Sequence, residues 1–192
     1  MNTSHDSVPT ASDFAPSITA GDFAHAVTAG DFAHAVTAGR YAHATTAGGY
    51  AHAATTGGYA NATTTGDYTN ATTTGDYANA TTTGDYAHAT TTGAYAHAAT
   101  AGRLTYATTT GIFAHATTAG FLSNASVSGE NAIAAAFGAN SCARAANGGF
   151  IVLAQYDEDT IVAVKTAQVG KDGIKPDTWY TLSPTGEYVE AE

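Results

Sequence analysis

Small, aromatic and polar residues recur along most of the chain with a period of nine. Ser12 is followed by glycine at every ninth position from Gly21 to Gly138, which gives fifteen uninterrupted repeats over residues 12–146. Their consensus is Gly-Asp-Tyr-Ala-His/Asn-Ala-Thr-Thr-Thr/Ala, numbered here as positions 1 to 9. Recurrent glycine and β-branched threonine disfavour a helix. Each repeat is therefore predicted to form one short strand closed by a glycine-centred turn.

Alternation within the repeat predicts which side chains face the core. Position 6 is alanine in fourteen of the fifteen repeats, position 4 is Ala, Thr or Ser, and position 8 is Thr, Val or Ala. Because alternate residues of a strand share one face, positions 4, 6 and 8 are predicted to point inward and positions 3, 5 and 7 outward. Such small side chains fill only a narrow core, which favours two repeats per coil over three. The predicted fold is an all-β parallel solenoid.

The chain is predicted to have three segments: a leader over residues 1–11, the solenoid over 12–146 and a C-terminal antiparallel β cap over 147–192. In the cap, strands are expected over 150–156 and 160–169, joined by an acidic turn. A hairpin is expected to pair 178–182 with 187–191. Trp179 and Tyr180 are expected in the core of this cap, which would cover the open end of the solenoid and serve as an oligomerisation segment.

Position 3 is aromatic in most repeats. With two repeats per coil, like residues would stack about 4.7–4.9 Å apart in two ladders. A monomer would then expose aromatic stripes, so a homo-oligomer is predicted; alternatively, the rings tuck in at the corners of the coil. The outward ladders form the candidate binding surface. Its residues are Tyr41, Tyr59, Tyr77 and Tyr95 at position 3, with His25, His43, Asn61, Asn79, His97 and His115 at position 5.

Histidine occupies position 5 in seven repeats, and histidines on adjacent coils would be close enough to share a metal ion. Asparagine fills the same position in other repeats, which favours a tolerant polar surface, so neither a metal nor a cofactor is predicted. Stacked histidines should repel when protonated, so acid is expected to weaken the fold. Asp and His recur three residues apart without a nucleophile at a fixed place, and no enzyme is predicted.

Charge and targeting features narrow the classes of partner. The net charge is −10 with no basic patch, which disfavours binding to nucleic acid or to anionic membranes. No stretch reaches the roughly 18 apolar residues of a membrane helix. The start of the chain has no signal-peptide pattern, and Cys142 is the single cysteine. Synthesis and folding in the cytoplasm are therefore predicted.

The last repeats carry a family resemblance. Residues 128–145 read Ser-Gly-Glu-Asn-Ala-Ile-Ala-Ala-Ala-Phe-Gly-Ala-Asn-Ser-Cys-Ala-Arg-Ala, which resembles the head repeats of trimeric autotransporter adhesins. That resemblance implies a left-handed parallel β-roll, a trimer and binding to host surfaces. The chain is also similar to Gly/Ala rolls of phage tail fibres, and residues 172–182 resemble the ending of phage-like repeat proteins. These likenesses imply a fibre module associated with a virion. The exposed ladders of Tyr, His and Asn are suited to a glycan or a repetitive protein as the ligand.

Two other functions remain open. Outward Thr-x-Thr pairs, such as Thr72/Thr74 and Thr90/Thr92, are typical of solenoids that order water, which suggests ice binding. An acidic surface that includes Asp67, Asp76 and Asp85 suggests instead a phage-encoded inhibitor of a host defence protein, acting by charge mimicry.

Overall fold

The computed structural model describes residues 10–11, 13–14 and 16–191, which form twenty β-strands and no helix. The strands divide into two ten-stranded sheets. Sheet A contains β1 (Thr10–Ala11), β3 (His25–Ala29), β5 (His43–Ala47), β7 (Asn61–Thr65), β9 (Asn79–Thr83), β11 (His97–Ala101), β13 (His115–Thr118), β15 (Ile133–Ala136), β17 (Phe150–Asp157) and β18 (Thr160–Gln168). Sheet B contains β2 (Pro16–Ala20), β4 (His34–Ala38), β6 (His52–Thr56), β8 (Asn70–Thr74), β10 (His88–Thr92), β12 (Tyr106–Thr109), β14 (Asn124–Val127), β16 (Cys142–Ala145), β19 (Tyr180–Leu182) and β20 (Tyr188–Glu190).

Successive repeats alternate between the two sheets, so each strand pairs in parallel with the strand two repeats later. Ala62 pairs with Ala80 across β7 and β9, and Ala71 pairs with Ala89 across β8 and β10, a register of 18 residues. One coil therefore holds two repeats, and the described part of the chain makes about eight coils. The predicted all-β parallel solenoid is confirmed.

Small side chains fill the space between the sheets. The alanines at positions 4 and 6 are almost fully buried, as at Ala78 and Ala80, and the threonines at position 8 are buried with them, as at Thr82. The predicted inward face is confirmed. Most position-8 hydroxyl groups have no hydrogen-bond partner among the described residues. In two places a threonine at position 4 supplies one: Thr64 donates to Thr69 over 2.9 Å, and the hydroxyls of Thr100 and Thr105 lie 2.8 Å apart.

The turns need glycine for two separate reasons. Gly75 has φ of +147°, a conformation that side chains rarely adopt, and a Cβ added there would overlap the carbonyl oxygen of Gly57 on the preceding coil. The aromatic residue two places later is left-handed as well, with φ of +57° at Tyr77. The last two repeats place Asn131 and Asn140 at this position, and asparagine tolerates the left-handed region better than other residues with a side chain.

Beyond the repeats the register and the strand direction both change. Ile133 pairs with Phe150, a separation of 17 rather than 18 residues, and β18 then returns antiparallel to β17. β19 runs antiparallel to β16, where Ala143 pairs with Tyr180, and β20 pairs with β19. The antiparallel strands at this end agree with the fold predicted for the C-terminal segment.

The core of the C-terminal segment is made of larger side chains than that of the solenoid. Ile151, Leu153 and Val169 are buried there together with Tyr180. The prediction that Trp179 also lies in this core is wrong. Trp179 is the residue before β19 and lies opposite Arg144, so it is on the outer face of sheet B and only partly buried.

Most of the predicted leader lies outside the described residues. Residues 1–9 are not described, and neither is Ser12, the first position of the first repeat. The last two residues of the predicted leader form β1, which pairs in parallel with β3.

Candidate recognition surface

Four candidate tyrosines lie in one ladder at the turns that lead into sheet A. Tyr41, Tyr59, Tyr77 and Tyr95 stack in sequence, with Phe23 at one end of the series and Phe113 at the other. Their ring centroids are 4.9–5.2 Å apart and their planes differ by 3–18°. Because each ring follows its glycine at the same place in the turn, the solenoid repeats one geometry along the whole edge.

The other six candidates form a parallel column two residues further along, where each strand of sheet A begins. His25 stacks on His43 and His97 stacks on His115, with centroids 4.9 Å apart in both pairs. Between these pairs the Asn79 amide donates to the Asn61 side-chain oxygen over 3.0 Å. All ten candidates thus lie on one side of the molecule. We call the ring ladder and this column together strip A.

A matching strip B lies on the opposite turn edge and on sheet B. Phe14, Phe32, Tyr50, Tyr68 and Tyr86 stack there with centroids 4.7–5.0 Å apart. The accompanying column, in chain order, is His34, His52, Asn70, His88, Tyr106, Asn124 and Cys142. Strip B was not among the predicted site residues, although the two-repeat coil makes it the equivalent of strip A.

Stacking covers the faces of the rings but leaves their edges in solvent. Tyr59 is 42% exposed and Tyr68 is 45% exposed, whereas the residues that follow them, Ala60 and Thr69, are fully buried. The rings therefore do not tuck into the corners of the coil. Each ladder is a continuous apolar stripe along one edge.

Burial and neighbouring histidines both shift the pKa values of imidazoles in the position-5 columns. Burial lowers the pKa of His43, His52 and His115 below the ordinary 6.5, and the adjacent histidine lowers each of these pKa values further. Burial also lowers the pKa of His88, whose ring stacks on Tyr106. These imidazoles are therefore mainly neutral at pH 7, so they present hydrogen-bonding rings rather than charges.

The acidic residues at position 2 have a structural contact that the sequence did not suggest. The Asp76 carboxylate accepts a hydrogen bond from the backbone N–H of Ala94 over 2.8 Å, and Asp85 accepts one from Arg103 over 2.7 Å. The same bond recurs at Asp13, Asp22, Asp31 and Asp67. Each aspartate thus ties its turn to the turn one coil later. The period of 18 was the only signal that could have revealed this contact.

Of the grooves near the C-terminal end, two have room for a small molecule, whereas a third, lined by residues such as Asn140, Tyr156 and Pro184, has a volume of only about 110 Å³. The larger, of about 490 Å³, lies between the β18 and β19–β20 segments and includes Lys165, Tyr180 and Tyr188 in its lining. Burial raises the pKa of Tyr188 to about 12, so its hydroxyl stays protonated. The smaller groove, of about 200 Å³, is lined by Tyr106, Asn124, Cys142, Trp179 and Ala191. Sequence reasoning missed the smaller groove, although Tyr106 departs from the His/Asn consensus at its position.

Among residues 10–11, 13–14 and 16–191, no three His, Cys, Asp or Glu side chains are grouped so that they could hold a metal ion. Within the same ranges, no helix is long and apolar enough to cross a membrane.

No protein-family model matches this chain, and no curated protein or solved structure matches it either.

Proposed function

We propose that this chain is a non-enzymatic recognition module, an oligomeric β-solenoid rod of the kind that forms the shaft or binding segment of a phage-type fibre. The observation that carries the proposal is the pair of exposed aromatic ladders. One runs over six successive coils and the other over five, at about 5 Å per coil. Two such stripes on one rod provide contacts for assembly and for binding.

The exposed area favours assembly. An aromatic side chain presents roughly 150–250 Å² when extended, so five or six rings at about 40% exposure or more leave on the order of 400–500 Å² of apolar surface on each edge. This is as large as the largest apolar patch of a typical soluble monomer, and the solenoid has two of them. Burying both would add stability that the alanine core cannot supply, since small side chains remove little apolar area from water.

The placement of the ladders favours a head-to-tail contact over a two-fold dimer. Strip A and strip B lie on opposite edges, so a two-fold contact between like edges would cover only one of them. A head-to-tail contact, in which the ladder of strip A on one copy meets the ladder of strip B on the next, covers both ladders on every copy. Such a contact forms a ring when the rotation between successive copies closes. We infer a trimer, which also agrees with the adhesin-head resemblance of residues 128–145.

The remaining outward columns are suited to recognition. Imidazole rings, amides and phenol groups repeat at the spacing of the coils, and most of them are partly exposed. Such a surface offers stacking faces and hydrogen-bond donors without net positive charge. A glycan or a repetitive protein is the class of ligand that fits it, whereas a polyanion would be repelled by the net charge of −10.

Light scattering with multi-angle detection tests the assembly. We expect a mass three times the chain mass of 19.3 kDa. The double variants Tyr59→Ser/Tyr77→Ser and Tyr68→Ser/Tyr86→Ser should each dissociate the trimer, because the ring contact needs both edges. The matched control is Ile112→Ser, which removes an apolar side chain that is 48% exposed but belongs to neither ladder. A wild-type protein that is monomeric at micromolar concentration contradicts the proposal.

A second candidate function, ice binding, rests on the register of sheet B. Thr72, Thr90 and Thr108 are paired in sequence across β8, β10 and β12. Thr74 and Thr92 form a second row beside them, and both are exposed. Three consecutive coils therefore carry threonine rows on one flat face, whereas on sheet A such pairs are confined to β7 and β9. A thermal-hysteresis measurement tests this function directly, and its loss in Thr90→Tyr would locate the surface.

A further inference from the structure

We infer that the smaller groove on the outer face of sheet B is a saccharide-binding subsite that takes one neutral hexopyranose unit. The groove of about 200 Å³ is lined by Tyr106, Asn124, Cys142, Trp179 and Ala191. The inference rests on the proposed recognition function and gives it a location and a ligand class. In the position-5 column of strip B, Tyr106 continues the series of stacked rings, and Asn124 on the next coil ends it.

Tyr106 provides an open aromatic face at one end of the groove. One face of its ring stacks on His88, with centroids 4.9 Å apart and planes 6° apart. The residue paired with it on the following coil is Asn124, which carries no ring. Because stacked rings in this column lie one coil apart, the second face of Tyr106 is turned toward the space above Asn124. The Asn124 side chain is shorter than the Tyr106 ring and covers only part of that face, and Tyr106 stays 40% exposed, so a ring-shaped ligand would pack on the uncovered part.

Trp179 provides the opposite wall. It is placed by the antiparallel pairing of β19 with β16, which puts it beside Arg144. The Arg144 guanidinium lies 4.6 Å from the Trp179 ring centroid, and its Nε donates to the Ser126 hydroxyl over 2.8 Å. These contacts hold the indole ring in position before any ligand arrives. A preorganised aromatic wall binds with a small loss of conformational entropy.

The floor between the two walls is polar and uncharged. The Asn124 amide has both donor and acceptor atoms and makes no side-chain hydrogen bond with the described residues. Cys142 lies one coil further on, and burial raises the pKa of its thiol, so it remains protonated. The nearest cation is Arg144, which is engaged by Trp179 and Ser126.

This combination fits a pyranose ring better than other ring-shaped ligands. A pyranose has an apolar C–H face that packs on an aromatic ring and a rim of hydroxyl groups that bond to an amide. A nucleotide would bring phosphate to a chain of net charge −10, and none of the residues that line the groove is cationic. The volume is below the 300–1,000 Å³ of drug-sized pockets, as expected for a single sugar unit.

The single tryptophan of the chain makes the subsite directly observable. Methyl glycosides of glucose, galactose, mannose and N-acetylglucosamine are titrated while Trp179 emission is recorded. At least one should give a saturable change, and Tyr106→Ala and Asn124→Ala should each weaken it about tenfold or more, the effect of losing roughly 1.4 kcal/mol. The matched control is Val162→Ala, which truncates a side chain that is 52% exposed on β18 of sheet A, outside the groove and outside both strips, and it should leave the titration unchanged.

Thermal unfolding and light scattering on each variant separate binding from folding and from assembly. Asn124→Ala removes no stacked ring, so it keeps the test valid if Tyr106→Ala lowers stability. If no glycoside changes the emission, or if both groove variants bind as wild type does, the subsite assignment is wrong. Neither of those results alters the oligomeric mass, so light scattering tests the fibre-module proposal separately.

Discussion

The repeat solenoid and the C-terminal segment bury their cores with opposite kinds of side chain. Between the sheets of the solenoid lie columns of alanine and threonine, such as Ala80 and Thr82, that repeat on every coil. In the C-terminal segment, Ile151, Leu153 and Tyr180 pack together without any repeat. One region is uniform and has small core residues; the other is irregular and has large ones.

The difference in the size of the core side chains means that the two regions gain their stability from different interactions. Burial yields about 25 cal/mol per Å² of apolar surface, so an alanine contributes little and a leucine contributes much. The solenoid therefore depends on backbone ladders, stacked rings and tightly stacked turns. The C-terminal segment depends on individual side chains, which continue the same buried cluster beyond the last repeat. Substitutions in the two regions should consequently lower the stability of the fold for different reasons.

The largest effect is expected from Gly84→Ala in a solenoid turn. The new Cβ would overlap the carbonyl oxygen of Gly66, and φ there is +141°. The stacked turns must separate, so strain and lost backbone hydrogen bonds together should cost about 3–5 kcal/mol. The control is Gly173→Ala, at φ of +84° but with open space around it, which should cost only about 1–2 kcal/mol. Urea unfolding midpoints measure both, and equal losses would contradict the close-stacking argument.

The second-largest loss of stability is expected for Leu153→Ala in the C-terminal core. Leu153 is 1% exposed, and truncating a buried leucine typically costs about 2–5 kcal/mol. The comparison variant is Ala80→Gly in the solenoid core, where about 1 kcal/mol is expected. If the two variants lose the same stability in urea, the two cores do not differ in the way described above.

A smaller effect, of opposite sign at two sites, is expected for Thr→Val at position 8. Thr73 has a buried hydroxyl without a partner among the described residues, so Thr73→Val should stabilise the fold by about 1 kcal/mol. Thr64 donates to Thr69, so Thr64→Val should destabilise it by about 1 kcal/mol. Val127 already occupies position 8 in a buried site, which shows that valine fits. Melting temperatures that shift in the same direction would contradict this account.

The smallest effect is the dependence of stability on pH, since the imidazoles are only partly buried. The pKa values of His43, His52 and His115 are below 6.5 in the fold, so the unfolded chain binds more protons as the pH falls through 6.5. Stability should therefore be constant with respect to these groups above that pH and decline below it. Replacing all three with Asn, which other repeats carry at this position, should flatten the decline in melting temperature between pH 8 and 5. An unchanged decline would assign it to the carboxylates instead.

The sequence was sufficient to predict the solenoid, its two repeats per coil and its inward positions. Those predictions depend on two local rules that apply in every repeat. Side chains alternate between the two faces of a strand, and glycine occurs in the turn. The ten residues of the predicted surface also lie in adjacent columns, because register follows from the period. No such repetition constrains residues 147–192, and there the expectation for Trp179 was wrong. The direction of the Trp179 side chain depends on which strand pairs with β19, and no local sequence pattern specifies that pairing.

By itself, then, the nine-residue pattern determined the sheet architecture, the small core and the outward ladders of rings. Only the tertiary structure showed that the position-2 aspartates join successive turns and that Tyr106 and Trp179 face a common groove. The reason is one of distance: the first set of features depends on residues within one repeat, whereas the second depends on atoms brought together from different coils or from beyond the repeats.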